Sequence, residues 1–333
     1  MEVRPEGLYC RPADTFIDPH AAVPRAVVTH GHADHARSGH GTVFATPETL
    51  AIMRTRYTEE AVSGGVPLRY RERRKIGGEV TLWLAPAGHI LGSAQAVLEH
   101  GGSRIVISGD YKRHDDPTCA PFEVVPADVF VTEATFALPV FSHPPIAHEM
   151  DKLLRSVATL PDRCHLVGVY ALGKCQRLML ALRAAGYDRP LYLHGALEKL
   201  TRLYEDFGHD FGDWQLVTEL SGGEREALKG HIVLCPPSAL ADRWSRRLPD
   251  PLPAMASGWM QIRARARQRR AEIALIVSDH ADWADLIRTA EETGAKDVWI
   301  THGRVEALEH ALKLRGIRAK ALNLIGRDEE DVQ

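Results

Sequence analysis

The sequence predicts an α/β protein, and three observations carry that expectation. From about residue 146, helical stretches near Ile146–Leu160, Gly173–Ala185, Leu197–Phe207 and Ala281–Thr293 alternate with short β-branched runs, the pattern of a parallel sheet with crossover helices. The first third instead alternates short β-branched runs with Gly/Pro turns. Third, apolar runs repeatedly end in a polar residue suited to chemistry. Phe16-Ile17 ends at Asp18, Val27-Val28 leads to His30, and Leu84 to Gly88 leads to His89. Ile105 to Gly109 ends at Asp110, Val129 to Thr132 at Glu133, Ile276 to Asp279 at His280, and Trp299 to Thr301 at His302. Strand ends at one sheet edge are where residues distant in sequence meet on a rigid platform, so a shared site is the economical explanation of seven such cases.

The elements follow in order. Val80–Leu84 reads as a strand, and Ala94–Glu99 with Arg104–Ile107 flank His100-Gly101-Gly102-Ser103, a hairpin signal. Val129–Val131 is a short buried strand, and the Pro-rich stretch Pro139–Pro145 suits a domain crossing. Beyond it, His165–Val169, Leu191–Leu193, Ile232–Leu234, Ile273–Val277 and Val298–Ile300 are the strands between the helices. The chain has 333 residues, 44% hydrophobic and 26% charged, enough for one large or two medium domains. No apolar run approaches a bilayer span, and Met1–Pro5 has no signal-peptide core, so no membrane partner and a cytoplasmic location are expected. Five cysteines, odd in number and without a Cys-x-x-Cys pair, read as reduced thiols.

The stretch Thr29-His30-Gly31-His32-Ala33-Asp34-His35 sets three imidazoles and a carboxylate directly after an apolar run. Histidines so spaced cannot share one face of a helix or strand, but a loop at a strand end can turn them toward two neighbouring points. Imidazole and carboxylate are ligands for zinc and similar divalent metals. The arrangement points to a metal site, binuclear, and hence to hydrolysis. The formal net charge of −3 is a poor footprint for a nucleic-acid binder. Two divalent cations would bring the sum to +1 and reverse the local electrostatics, so a phosphodiester substrate is not excluded. Two arginine-rich stretches, Arg69–Lys75 and Arg263, Arg265, Arg267, Arg269 and Arg270, suit either a solvated face or a polyanion; the second is denser and lacks a carboxylate until Glu272.

On these residues the chain resembles the metallo-β-lactamase superfamily and, within it, the β-CASP nucleases. His30-x-His32-x-Asp34-His35 resembles the signature loop, Gly88-His89-Ile90-Leu91-Gly92-Ser93 the third-ligand segment, and Ser108–Lys112 the strand end with the bridging aspartate. Thr132–Thr135, Ser278–Asp282 and Thr301–Gly303 are similar to the three nuclease motifs, and Val169–Gln176 to the start of the inserted domain's first long helix. Gly109–Arg113 and Thr132–Pro139 resemble more narrowly the bacterial ligase-associated DNA exonuclease group, relatives of the Artemis-type repair nucleases.

The resemblance implies an αββα metallo-β-lactamase sandwich from residues 1–138 and 272–333, with an α/β β-CASP domain inserted at 139–271. It implies two divalent ions, Zn or Mn. His30, His32 and His89 would hold one, Asp34, His35 and His302 the other, and Asp110 would bridge them. Asp18 would orient ligands by hydrogen bonding. The expected reaction is attack of a metal-activated hydroxide on a phosphodiester, with Asp34, Glu133 and His280 catalytic and His280, paired with Glu133, protonating the leaving oxygen. Ser93, Lys112 and Lys174 are candidate substrate contacts; Ser93 and Lys112 could equally be a turn cap and a solvent-facing lysine. The implied function is a DNA exonuclease in repair, working alongside an ATP-dependent DNA ligase. RNA is the alternative substrate, since RNA-processing members place histidine where His302 stands. A small-molecule metallo-hydrolase would share the metal loop without needing Glu133 and His280.

Overall fold

The computed structural model describes residues 1–59, 62–221 and 223–322, so residues 323–333 of the expected catalytic core lie outside the described residues. The described residues divide into two compact units, 1–142 together with 280–322, and His143–Asp279. These divisions fall four and eight residues beyond the expected 138/139 and 271/272.

In the first unit, β1 (Glu2–Arg4), β2 (Gly7–Cys10), β3 (Thr15–Ile17), β4 (Arg25–Val27), β5 (Thr42–Ala45) and β6 (Gly65–Pro67) form a sheet in sequence order. Helix α1 (Pro47–Arg56) leaves β5 through Thr46, whose hydroxyl accepts from Thr49 N at 3.1 Å, with Pro47 at the first turn where its missing N–H costs nothing. The second sheet begins with β7 (Arg74–Gly77), β8 (Val80–Pro86), β9 (Ala94–His100), β10 (Ser103–Ile107) and β11 (Val129–Thr132). The β9–β10 pair is the hairpin expected around Gly101-Gly102.

The second unit holds α2 (Ile146–Thr159), β12 (Cys164–Gly168), α3 (Lys174–Ala184), β13 (Leu191–Leu193), α4 (Glu198–Asp206), β14 (Trp214–Leu216), β15 (Ile232–Cys235), β16 (Pro251–Ala256), α5 (Arg263–Gln268) and β17 (Ile273–Leu275). Its sheet, ordered β14-β13-β15-β12-β16-β17, is parallel throughout. Strand β17 is shorter than expected: Ile276 N leaves the ladder to donate to Glu149 Oε2 at 2.9 Å. Strand β16 escaped the sequence reading because Pro251 and Pro253 argue against an interior strand.

The chain then returns to the first unit as α6 (Trp283–Glu292), β18 (Asp297–Ile300), α7 (Val305–Leu314) and β19 (Arg318–Ala321), completing the second sheet in the order β19-β18-β11-β10-β9-β8-β7. Period-two alternation divides the side chains of β8 between two cores. Leu82 and Leu84 pack with Leu8, Ile17, Val27 and Phe44 of the first sheet. Trp83 and Ala85 pack with Leu286 and Ala290 of α6 and Leu308 and Leu312 of α7. On the far side of the first sheet, Ala26, Val28 and Val43 pack with Leu50 and Met53 of α1. Each such aliphatic side chain contributes about 1.5–3 kcal/mol on full burial, so the two sheets are held as one rigid support. Strands β8, β10, β11 and β18 run in the same direction, which brings His89, Asp110, Glu133 and His302 out at one edge. No helix among the described residues is long and apolar enough to cross a membrane.

Candidate metal centre

The loop after β4 is wound tightly enough to aim several ligands from few residues. Ala36 N donates to His32 O at 2.8 Å and His35 N to the same oxygen at 3.2 Å. Gly31 is required here, because a Cβ at that position would stand 2.5 Å from Ile52 Cγ2 of α1. The loop after β8 is tied to it through Ala94 N, which donates to Thr29 O at 2.8 Å. The loop after β10 passes Gly109, at φ 57°, where a Cβ would meet Thr29 Oγ1 at 2.6 Å. Thr29 is thus the point on which three ligand-bearing loops close.

Ligand atoms of His30, His32, His89 and Asp110 all lie within 4.8 Å of one another, as do those of His35, Asp110 and His302. Asp110 belongs to both groups. Its Oδ2 is 3.4 Å from His30 Nε2, 3.5 Å from His35 Nε2 and 3.8 Å from His89 Nε2. His89 Nε2 and His32 Nδ1 stand 3.0 Å apart. Asp34 is placed beside the second group, its Oδ2 3.2 Å from His35 Nε2. Glu133 and His280 form a third group with Asp110; His280 Nδ1 is 2.9 Å from Glu133 Oε2. Glu133 Oε1 also accepts from Tyr111 N at 2.8 Å, which fixes the carboxylate's orientation.

Behind the ligands, Asp18 Oδ2 is 2.8 Å from His35 Nδ1 and accepts from Thr29 Oγ1 at 2.6 Å, while its Oδ1 accepts from Thr29 N at 2.7 Å. Thr29 Oγ1 is 3.1 Å from His30 Nδ1. One buried carboxylate therefore fixes imidazoles on both sides of Asp110, directly for His35 and through Thr29 for His30. Sequence reasoning missed Thr29, although a hydroxyl residue abutting the first ligand was a usable signal.

Burial opposes ionisation of Asp110 and of Asp34, yet the imidazoles of His35 and His30 hold both carboxyls well below the usual range. Burial, reinforced by His280, His30 and His32, pushes His89 well below the ordinary imidazole value and keeps it neutral. Neutral imidazoles and ionised carboxylates are the forms that ligate divalent metals. The donors fit such ions on a second count: His30 Nε2 and Asp34 Oδ1 are buried with no hydrogen-bond partner among the described residues, an arrangement that otherwise costs about 1–3 kcal/mol each.

The three candidate substrate contacts are placed differently. Ser93 is buried, its hydroxyl accepting from His89 N at 3.0 Å and Ile90 N at 3.2 Å, so it caps the turn that presents His89. Lys112 does not face solvent; it is buried against Asp116 Oδ2 at 2.5 Å. Lys174 is buried in the second unit with its Nζ 2.6 Å from Asp279 Oδ2, and Arg177 Nη1 reaches Asp279 Oδ1 at 3.1 Å.

No protein-family model matches the sequence. A protein of Opitutus terrae described as "Probable DNA ligase" is 32% identical over 332 residues, 97% of this chain and 31% of that protein. Endoribonuclease ysh1 of Aspergillus fumigatus is 34% identical over 54% of this chain and 24% of its own length. An RNase J-like protein of Methanocaldococcus jannaschii is 26% identical over 56% of this chain and 51% of its own length. The chain is a homologue of the β-CASP metallo-β-lactamase nucleases. It spans between about a quarter and a half of the length of these relatives. Among solved structures, a protein of unknown function from Enterococcus faecalis V583 superposes with a TM-score of 0.57 at 15% identity, over 84% of this chain and 75% of that one. That likeness concerns the fold alone.

Proposed function

We propose that this chain is a two-metal phosphodiesterase acting on nucleic acid, most simply a DNA exonuclease in repair, built as an αββα metallo-β-lactamase sandwich with an inserted β-CASP domain. The observation that carries the reading is the position of Asp110 Oδ2, shared between the His30 and His35 groups and flanked by the Glu133–His280 pair. His30, His32 and His89 would hold one ion, and His35, His302 and Asp34 the other, with Asp110 within reach of both groups. Zinc or manganese suits these nitrogen and oxygen donors.

The bound ions would supply Lewis acidity toward the phosphoryl oxygens and an acidified water as nucleophile. The protein supplies the remainder. Asp18 and Thr29 hold the imidazoles in fixed tautomers and orientations. Glu133 accepts from His280 Nδ1, which leaves Nε2 to deliver a proton to the leaving oxygen as the P–O bond breaks. Glu133 also holds the imidazole in the orientation this transfer needs.

DNA as substrate is supported by the Opitutus protein, which matches nearly the whole chain and whose description names a DNA ligase; a working association with such a ligase is part of the proposal. RNA is the second reading, supported by the endoribonuclease and RNase J-like relatives and by His302 in the second ligand group. The test offers metal-loaded protein 5′- and 3′-labelled DNA and RNA strands beside a small ester. Cleavage of a polymer is expected, and its terminal or internal products define the mode. Hydrolysis of the small ester with both polymers intact would overturn the nuclease reading.

A further inference from the structure

Two arginine-rich stretches look alike in the sequence, and their partners separate them. In the first, Arg71 pairs with Glu123, Arg73 with Glu99, Arg74 with Glu72 and Lys75 with Glu79. That stretch is a neutralised, solvated face. In the second, Arg263, Arg267 and Arg270 are exposed and make no ion pair among the described residues. The nearest carboxylates in sequence are engaged elsewhere: Asp250 and Glu272 both pair with Arg163, at 3.2 and 2.8 Å. Residues 251–271 contain five arginines and no acid.

Arg263 and Arg267 stand one turn apart on α5, on the same face, about 6 Å along the axis. Arg265 lies instead with its guanidinium 4.1 Å from the ring centroid of half-buried Trp259. The segment therefore sets unneutralised guanidinium groups beside a half-buried indole that Arg265 packs against, a surface suited to track a phosphodiester backbone. Arginines in the last turn also complement the helix dipole, but that role engages one or two side chains and leaves Arg263 and Arg270 unexplained.

We propose that Arg263, Arg267 and Arg270, with Trp259 beside them, form a docking surface for the sugar-phosphate backbone of a single-stranded nucleic acid, separate from the metal-ligating residues. This rests on the nucleic-acid reading above and adds the surface that holds the strand.

The test compares the full metal-loaded chain with R263Q/R267Q/R270Q and with R263K/R267K/R270K. Binding of fluorescent phosphorothioate DNA and RNA strands of about 20 nucleotides is followed by anisotropy over a salt series. The glutamine variant should bind at least about ten-fold more weakly at low salt, with the slope of log K against log salt shallower by about 2, while the lysine variant keeps most of both. Its melting temperature and its hydrolysis of bis(4-nitrophenyl) phosphate should match the parent. Strong binding by the parent with an unchanged slope in the glutamine variant would overturn this surface alone. Absence of polymer binding by the parent would overturn both it and the nucleic-acid reading.

Discussion

Asp18 Oδ2 and His35 Nδ1 stand 2.8 Å apart, and this contact decides which nitrogen of His35 faces Asp110. A carboxylate only accepts, so Nδ1 carries the proton and Nε2 is left as the ligand. Asp18 sits at φ 43°, a region asparagine tolerates well. Asp18→Asn therefore removes the charge without straining the backbone. It should weaken metal affinity by about 10–100-fold while leaving the far-UV circular dichroism unchanged, as isothermal titration would read. Unchanged affinity would detach Asp18 from the metal centre.

Glu133 and His280 carry a separate claim, since with Asp110 they too could hold an ion. As a proton-donating pair, His280→Ala should lower kcat by about 10²–10⁴ with the same metal content per chain. Glu133→Gln keeps an acceptor for Tyr111 N and should lose activity without losing metal. Loss of an ion in either variant, measured by elemental analysis, would make the pair ligands instead.

Acid should destabilise the metal-free protein in two stages. His89 is held well below the ordinary imidazole value by burial and by neighbouring imidazoles. The unfolded chain then binds the extra proton first, so this stabilisation is complete above about pH 6.5 and is lost as the pH falls below it. Asp110 and Asp34, held low by His35 and His30 against the effect of burial, act in the same direction below about pH 4. Melting temperature should fall from pH 7 to 5 and again below 4; a flat profile across both windows would contradict these environments.

Lys174 and Arg177 converge on Asp279, the residue before His280, and all three are buried. Removing the shared anion leaves two buried cations facing each other, so Asp279→Ala should cost about 3–5 kcal/mol in denaturant unfolding. Lys174→Met should lower the melting temperature and leave KM unaltered. A raised KM at unchanged stability would restore Lys174 as a substrate contact.

The convergence of these side chains at the candidate metal centre was legible because ligand chemistry is written in residue type and because strand ends can be read from apolar runs. His30, His89 and Asp110 each follow such a run. What the sequence concealed depends on partners far along the chain. Ser93 was readable as the turn cap it is, but nothing near Lys112 and Lys174 in the sequence shows that Asp116 and Asp279 engage their ammonium groups. The second arginine stretch stood out in the sequence by its density, but only the structure shows Glu99 and Glu123 neutralising the first. Strand β16 was hidden by its prolines, and helices α1 and α7 went unread.

In the proposed mechanism one carboxylate, Asp110, serves two ions. The most direct measurement titrates zinc or manganese into metal-free protein while labelled strand cleavage and metal binding are recorded together. Two ions should bind per chain, with cleavage rising as the second site fills, and Asp110→Ala should lose at least one ion and cleavage with it. Full cleavage at one ion per chain, or in Asp110→Ala, would contradict the shared-carboxylate mechanism.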